Sequence, residues 1–157
     1  MIKDDKCPLC EIKVETITHL FIECKVVSPL NRMLLKLLNS FSDHRFKLTE
    51  PIFRFCSIPY LEKYQFQLGL ILFTESRHFI WMNRNLSKYE NKKISDYVMV
   101  AIFFSKLKRR IIIDHKRLNQ IEFIKLWCIN GFCVLDVMEN TIDFHDNLDI
   151  NTYFQMI

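Results

Sequence analysis

The sequence is poor in turn-forming residues, with 2 glycines and 4 prolines among 157 residues. Because all-β folds need many tight turns, this scarcity favours helices. No apolar run reaches the roughly 18 residues of a membrane-spanning helix, so no membrane segment is predicted. The charged first six residues precede no apolar stretch, which argues against a signal peptide. We therefore expect an intracellular protein, in the nucleus or the cytoplasm.

Hydrophobic residues make up 50% of the chain and charged residues 25%. This composition excludes a disordered chain and supplies enough apolar side chains for a core. The length fits one compact domain, or one domain with a small module attached. In a reducing compartment the 6 cysteines are expected to be metal ligands or buried thiols rather than disulfides.

Basic residues are absent after Lys125, although the chain as a whole carries a net charge of +4. The preceding part has a net charge of roughly +9 and is followed by five acidic residues. These are Asp136, Glu139, Asp143, Asp146 and Asp149. A basic body with an acidic tail, residues 131–157, indicates a polyanionic partner for the body.

Apolar periodicity predicts a mostly α fold, with a bundle of about four helices over residues 28–130. The helices are predicted over residues 28–42, 60–90, 95–125 and 118–127. The first has six apolar residues at one-face spacing: Leu30, Met33, Leu34, Leu37, Leu38 and Phe41. Ser28 and Ser95 are predicted as helix caps, with Pro29 in the first turn.

The two longer helices carry less regular stripes. The stripe of the second is formed by Leu61, Tyr64, Leu68, Ile71, Leu72, Glu75, Phe79 and Met82, and Gly69 weakens its middle by about 1 kcal/mol. The stripe of the third is formed by Val98, Ile102, Ser105 and Leu107, and its β-branched run 111–113 is expected to break or kink it. Trp81 and Trp127 are predicted to lie in the core. Asn130-Gly131 is predicted to end the last helix.

The most specific motif is the spacing C-x2-C-x8-H-x4-C, formed by Cys7, Cys10, His19 and Cys24. A Cys-x-x-Cys turn places two thiolates on one edge of a tetrahedron, and a His and a Cys five positions apart can supply the opposite edge. Four closed nitrogen and sulfur ligands are typical of one structural Zn²⁺ site. We therefore predict a CCHC zinc knuckle over residues 1–27, with metal contributing on the order of 10 kcal/mol to its folding.

The alternative interpretation is a redox pair formed by Cys7 and Cys10. A thioredoxin-type pair should follow a strand in an α/β unit, and no such unit is predicted around these residues. The other cysteines, Cys56, Cys128 and Cys133, are predicted to be free buried thiols. His78 and His115 are assigned no chemistry, because no carboxylate or nucleophile is placed to act with them. His44 and His145 are expected to be exposed.

Two segments resemble the zinc-binding region that follows the polymerase in reverse transcriptases of non-LTR (LINE-type) retrotransposons. The first is Cys7-Pro-Leu-Cys10 followed by Glu15-Thr-Ile-Thr-His19-Leu20-Phe21 and Cys24, and the second is Ile80-Trp81-Met82-Asn83-Arg84-Asn85. The resemblance covers roughly residues 6–90. Asn31 departs from the family, in which a Trp often follows Pro-Leu, and this change leaves the ligands intact.

The resemblance implies a module accessory to the polymerase, which contacts target DNA or template RNA during target-primed reverse transcription. It implies Cys7, Cys10, His19 and Cys24 as zinc ligands, and Leu20 and Phe21 are expected to cover the site. The polymerase needs a Tyr/Phe-x-Asp-Asp motif to hold Mg²⁺, and Asp4-Asp5 does not fit it. No endonuclease constellation is visible either. The chain is therefore predicted to be no enzyme, but a fragment, an eroded element or a domesticated gene.

A basic run in the third helix is the second candidate site. It contains Lys106, Lys108, Arg109, Arg110, Lys116 and Arg117, offset by Asp114. Such side chains neutralise phosphates and release counterions, which gives salt-sensitive binding to RNA or DNA. The alternative is a solvated helix face.

Two classes of function follow from the sequence. The first is a zinc-stabilised nucleic-acid-binding module, with a reverse-transcriptase polymerase domain as a further partner. The second is a helical protein-interaction module in which the zinc is purely structural. No membrane partner and no small-molecule substrate are expected.

Overall fold

The computed structural model describes residues 5–42, 45–49, 51–52, 57–59, 61–136 and 141–144. Four α-helices dominate them: α1 (Ser28–Ser40), α2 (Lys63–Glu90), α3 (Asp96–Arg117) and α4 (Gln120–Trp127). The shorter elements are a π-helix (His19–Glu23), a 3-10 turn (Ile129–Gly131) and two strands, β1 (Cys133–Asp136) and β2 (Thr141–Phe144). The predicted fold class is confirmed: the chain is mostly helical, and its N-terminal cysteine cluster fits a small knuckle.

Helix α1 confirms the predicted apolar face, because all six residues assigned to it are buried. The helix begins at Ser28 with Pro29 in its first turn. The residue at the cap position is Val27, and no side chain caps the helix. The predicted cap at Ser28 is therefore wrong by one position, since Ser28 already lies inside the helix.

Helix α2 begins with a capping box, in which the backbone N–H of Glu62 donates to Gln65 Oε1 (3.0 Å). It ends at Asn91, whose left-handed backbone (φ 52°) closes the last turn. A Cβ atom at Gly69 would lie 3.0 Å from the side chain of Ile58. The glycine thus permits a close approach between α2 and the segment before it.

Helix α3 is capped as predicted, because the backbone N–H of Val98 donates to Ser95 Oγ (3.2 Å). It runs unbroken through the three isoleucines, so the expected kink is absent. Its predicted face is correct only at Leu107, which is buried, because Val98 is 43% and Ile102 38% exposed. The side chains that it buries are Met99, Val100, Phe103, Phe104, Leu107, Ile111 and Asp114.

Leu118 and Asn119 separate α3 from α4, so the helix predicted over 95–125 was too long, whereas the helix predicted over 118–127 is confirmed as α4. Asn119 caps α4 by accepting a hydrogen bond from the backbone N–H of Glu122 (2.9 Å). Trp127 is fully buried, as predicted, whereas Trp81 is 46% exposed and does not belong to the core.

The predicted acidic tail contains regular structure that its sequence did not reveal. Strands β1 and β2 pair antiparallel, with Cys133 opposite Phe144 and Asp136 opposite Thr141. The predictions for Cys56, His44, His145 and the rest of the tail fall outside the described residues. No helix that the structure describes is long and apolar enough to cross a lipid bilayer.

The helices enclose one apolar core, in which α1 packs on α3 and α2 packs on α4. Cys7, Leu20 and Cys24 belong to the same buried cluster as these helices. The N-terminal cysteine segment therefore packs directly against the bundle.

Candidate metal centre

The first two cysteines lie in a tight turn stabilised by backbone hydrogen bonds. The N–H of Cys7 donates to the carbonyl of Lys13, and the N–H of Glu11 donates to the carbonyl of Cys7, both at 2.8 Å. Glu11 has a positive φ of 56°, which reverses the chain after Cys10. This turn places the two sulfurs on the same side of the loop.

The other two candidate ligands are brought together by the π-helix. Its first backbone N–H, that of His19, donates to Thr16 Oγ1 (2.9 Å), and the N–H of Cys24 donates to the His19 carbonyl (2.7 Å). This i to i+5 hydrogen bond joins the two ligand positions directly. The x4 spacing between the His and the Cys thus has a local structural cause.

The four predicted ligand atoms converge on one point, with all of them within 4.8 Å of one another. Cys7 Sγ lies 4.0 Å from Cys24 Sγ, and Cys10 Sγ lies 3.3 Å from His19 Nε2. A tetrahedral ion of the size of Zn²⁺ has S–S edges of about 3.8 Å and S–N edges of about 3.5 Å. The observed separations fit a metal ion bound at the centre of this group.

The site is closed to solvent on most sides. Cys7 and Cys24 are fully buried, His19 is 4% exposed, and Leu20, which follows it, is 2% exposed. Leu20 lies in the same buried cluster as Cys7 and Cys24, whereas Phe21 is half-buried. Four protein donor atoms in such surroundings match the number of ligands of a closed tetrahedral metal site.

The thiols of the cluster differ in acidity. Burial raises the pKa of Cys7, and burial together with the neighbouring Cys7 and Cys10 raises the pKa of Cys24 to about 12. Burial also opposes ionisation of Cys10, but hydrogen bonds from the backbone of Lys13 and Ile12 and from His19 lower its pKa to about 6. Cys10 is therefore the thiol that is already ionised at neutral pH.

His19 presents Nε2 to the cluster, so its other ring nitrogen needs a separate partner. Nδ1 is buried without a hydrogen bond, and the carboxylate of Glu23 lies 4.0 Å from it. A carboxylate in this position is the usual acceptor for the second nitrogen of a metal-bound histidine.

An ion pair between the buried Arg84 and the partly buried Glu15 attaches the cysteine segment to α2. Arg84 Nη2 donates to Glu15 Oε1 (2.6 Å), and Arg84 Nε donates to Glu15 Oε2 (3.0 Å). The Arg84 side chain is 8% exposed and that of Glu15 is 22% exposed. The hydrogen bonds that Arg84 donates to the Glu15 carboxylate raise the pKa of Arg84. Both residues lie in the segments that carry the family resemblance, but the spacing of these segments did not predict their contact.

Two further polar contacts hold the same surface together. Ser87 Oγ donates to the Pro8 carbonyl (2.7 Å), and Lys93 pairs with Glu11 (2.8 Å). Asn31 is buried and donates to the Phe21 carbonyl (2.9 Å). This hydrogen bond joins α1 to the π-helix.

Five of the six basic residues predicted for α3 share one side of the helix, and Lys108 lies away from them. Lys108 and Arg110 are two positions apart, which places them about 200° from each other around the helix. Arg110 is held by Glu75 (2.9 Å) and by Asp114 (3.0 Å), and Asp114 also accepts a hydrogen bond from Trp127 Nε1 (3.3 Å). The residues of the run that are exposed are Lys106, Arg109, Lys116 and Arg117.

The remaining candidates are placed as follows. His78 is exposed, and the ring of His115 meets the ring of Phe123 edge-on with centroids 5.0 Å apart. Cys128 and Cys133, predicted as free buried thiols, form no disulfide; Cys133 is buried and Cys128 half-buried, and their sulfurs lie 3.7 Å apart.

Comparison with known proteins yielded no match, whether to family models, to curated proteins or to solved structures. The geometry of the cysteine and histidine cluster is therefore the observation on which a function rests.

Proposed function

We propose that the chain is a non-catalytic, zinc-stabilised module that binds RNA or DNA through phosphate contacts. This proposal rests on one observation, namely that the ligand atoms of Cys7, Cys10, His19 and Cys24 lie close together. The module is of the kind implied by its resemblance to the zinc-binding region of non-LTR reverse transcriptases. A polymerase domain of that type is its proposed protein partner.

Zinc is the proposed metal because of the chemistry of the ligands. Three thiolates and one imidazole in a tetrahedral arrangement match the preference of Zn²⁺ for sulfur and nitrogen. With four protein ligands no position is left for a substrate or an activated water. The metal therefore acts as a cross-link that fixes the fold of the knuckle, and we propose no reaction at this site.

The proposed nucleic-acid contact is the solvent-facing side of α3. Arg109, Lys116 and Arg117 are exposed there, and Lys106 extends the same surface with its ammonium group 5.1 Å from the ring of Phe79. Cations at such positions bind phosphates without reading the base sequence. Arg110 is left out of the proposed contact because it pairs with Glu75 and Asp114.

The test compares two triple variants of the zinc-loaded protein. Arg109→Ala/Lys116→Ala/Arg117→Ala removes three cations from α3, and Arg32→Ala/Lys63→Ala/Lys125→Ala removes three exposed cations from the other helices. We expect the first variant to lose at least tenfold in affinity for an RNA or DNA oligonucleotide and the second to lose much less. Native binding should weaken steeply between about 50 and 200 mM salt. Equal losses of affinity in both variants would refute the proposal that the α3 surface binds nucleic acid.

A groove between α2 and α4 favours the second candidate function, a protein-interaction module. Its volume is about 410 Å³. The groove is lined by Lys63, Tyr64, Gln67, Leu70, Ile71, Leu118, Glu122 and Leu126. A protein partner in this apolar groove would bind with little dependence on salt, and Leu70→Glu would abolish its binding while the α3 variant would not.

A further inference from the structure

A pair of thiols, Cys128 and Cys133, lies far along the sequence from the candidate metal centre, near the last of the described residues. Cys128 follows the last residue of α4, and Cys133 is the first residue of β1. Their sulfurs are 3.7 Å apart, and Cys133 Sγ also donates to the carbonyl of Trp127 (3.1 Å). The two side chains thus share one corner of the fold.

The short connection from Cys128 to Cys133 is fixed by contacts that keep the two sulfurs close to each other. The 3-10 turn between them contains Asn130 with a positive φ of 46°, and Asn130 Nδ2 donates to the carbonyl of Phe41 (3.2 Å). Phe132 is buried against the rings of Phe41 and Trp127. The short connection is therefore held in place from both sides.

The pair lacks the composition of a metal site. No group of three or more potential ligands that includes Cys128 or Cys133 occurs within the part of the chain that the structure describes. Two thiols in van der Waals contact have another chemistry, since they need to approach by only about 1.7 Å to reach the disulfide length of about 2.05 Å. Cys128 is half-buried and Cys133 is 1% exposed, so a reagent reaches Cys128 first.

We propose that Cys128 and Cys133 form a reversible disulfide when the protein meets a low-molecular-weight disulfide such as glutathione disulfide. The thiolate of Cys128 attacks one sulfur of the reagent, which breaks the reagent's S–S bond and releases one small thiol. Cys133 then attacks the sulfur of Cys128 in the mixed disulfide and releases the second small thiol. Two electrons pass from the two cysteines to the reagent, and both thiol protons leave with the released thiols.

The disulfide would join the end of α4 covalently to the start of the β1–β2 hairpin. Cys133 would lose its hydrogen bond to Trp127 at the same time, because its proton is gone. Oxidation is therefore expected to stiffen this corner and leave the metal centre unchanged. The site acts independently of the proposed function, since none of the four metal ligands takes part in it.

The test uses the full-length, zinc-loaded chain with Cys56→Ser, which removes the sixth cysteine as a competing partner. After treatment with glutathione disulfide, we expect the protein to lose two hydrogens in mass and to yield one peptide cross-linked between Cys128 and Cys133. Dithiothreitol should restore the original mass. Zinc content should be the same before and after oxidation.

A second variant traps the intermediate. In Cys56→Ser/Cys133→Ser the resolving thiol is missing, so a stable glutathione adduct on Cys128 is expected in place of the disulfide. Three results would overturn the proposal: no reaction of the zinc-loaded protein, a persistent adduct on Cys128 while Cys133 is present, or a cross-link from Cys128 to a knuckle cysteine.

Discussion

The knuckle and helix α1 are neighbours in the chain, yet different forces hold them. In α1, seven of 13 residues are buried, and its apolar face packs on α3. The knuckle keeps Ile12, Val14 and Ile17 exposed by 57–61%. Its structure is held by backbone hydrogen bonds and by the four candidate metal ligands, whose ligand atoms lie within 4.8 Å of one another. A segment this poor in buried apolar surface needs a cross-link to be stable, whereas α1 does not.

Of all the changes considered, removal of the metal should show the largest difference in stability between the knuckle and the helices. A chelator is expected to remove on the order of 10 kcal/mol of stabilisation from the knuckle. The four helices should persist, because their own side chains form most of the shared apolar core. Hydrogen exchange measured by mass spectrometry would show rapid exchange in residues 5–27 and protection in α2 and α3. Unfolding of all regions at one chelator concentration would instead show that they depend equally on the metal.

The Glu15–Arg84 pair joins the two regions, and breaking it should have the next largest effect. Glu15→Gln leaves the guanidinium of Arg84 buried without its counter-charge, which costs about 3–5 kcal/mol. Adding Arg84→Met should restore part of the loss, because the unpaired charge is then absent. The measurement is urea unfolding of the zinc-loaded protein.

The control for that experiment is Lys93→Gln, which breaks the exposed pair between Lys93 and Glu11. Both side chains there are more than half exposed, so the change should cost less than about 1 kcal/mol. Equal effects of Glu15→Gln and Lys93→Gln would contradict the account of a buried connection.

A cavity in the bundle should leave the metal centre intact. Leu37 is fully buried in α1, and Leu37→Ala should lower the free energy of unfolding by about 2–5 kcal/mol. Thermal unfolding measures the loss, and elemental analysis of the folded variant should still find one metal ion per chain. If the Leu37→Ala variant also lost its metal ion, the knuckle would depend on the packing of the bundle.

The acidity of the ligands predicts how metal affinity varies with pH. Cys7 and Cys24 have raised pKa values and are protonated at neutral pH, while Cys10, with a pKa of about 6, is ionised. Binding should therefore release about two protons at pH 7.5, one from Cys7 and one from Cys24. Affinity would rise about a hundredfold per pH unit near neutrality. Calorimetry in buffers of different ionisation enthalpy measures this number.

The same pKa shifts change the stability of the metal-free protein with pH in opposite directions. The raised pKa of Cys24 contributes stability below pH 9, and this contribution is lost as the pH rises towards 12. The lowered pKa of Cys10 contributes stability above pH 9, which is lost as the pH falls through 6. A release of three protons at pH 7.5 would contradict the ionised state of Cys10.

The sequence predicts features that depend on local spacing. The face of α1 follows from a regular 3.6-residue period, and the cluster of Cys7, Cys10, His19 and Cys24 follows from the spacing of its ligands. The cap at Ser95 was predicted for the same reason, since it depends on its nearest neighbours.

Features that depend on distant contacts were not predicted. The pairing of Glu15 with Arg84 spans 69 positions, and Trp81, which is 46% exposed, has the guanidinium of Arg84 5.0 Å from the centre of its ring. On α3 an apolar residue occurs at nearly every position of some turns, so periodicity could not tell the buried face of Phe103 and Leu107 from the exposed Ile102. The hairpin after Cys133 lacks a regular polar and apolar alternation long enough to indicate strands.

The most direct test of the account is the metal content of the purified, metal-replete chain by elemental analysis, measured for the native protein, Cys24→Ser and Cys128→Ser. Cys24 is a proposed ligand, and Cys128 is a thiol outside the cluster. We predict one zinc per chain in the native protein and in Cys128→Ser, and none in Cys24→Ser. A native protein without zinc, or a Cys24→Ser variant that retains its full zinc content, would contradict the proposed metal centre.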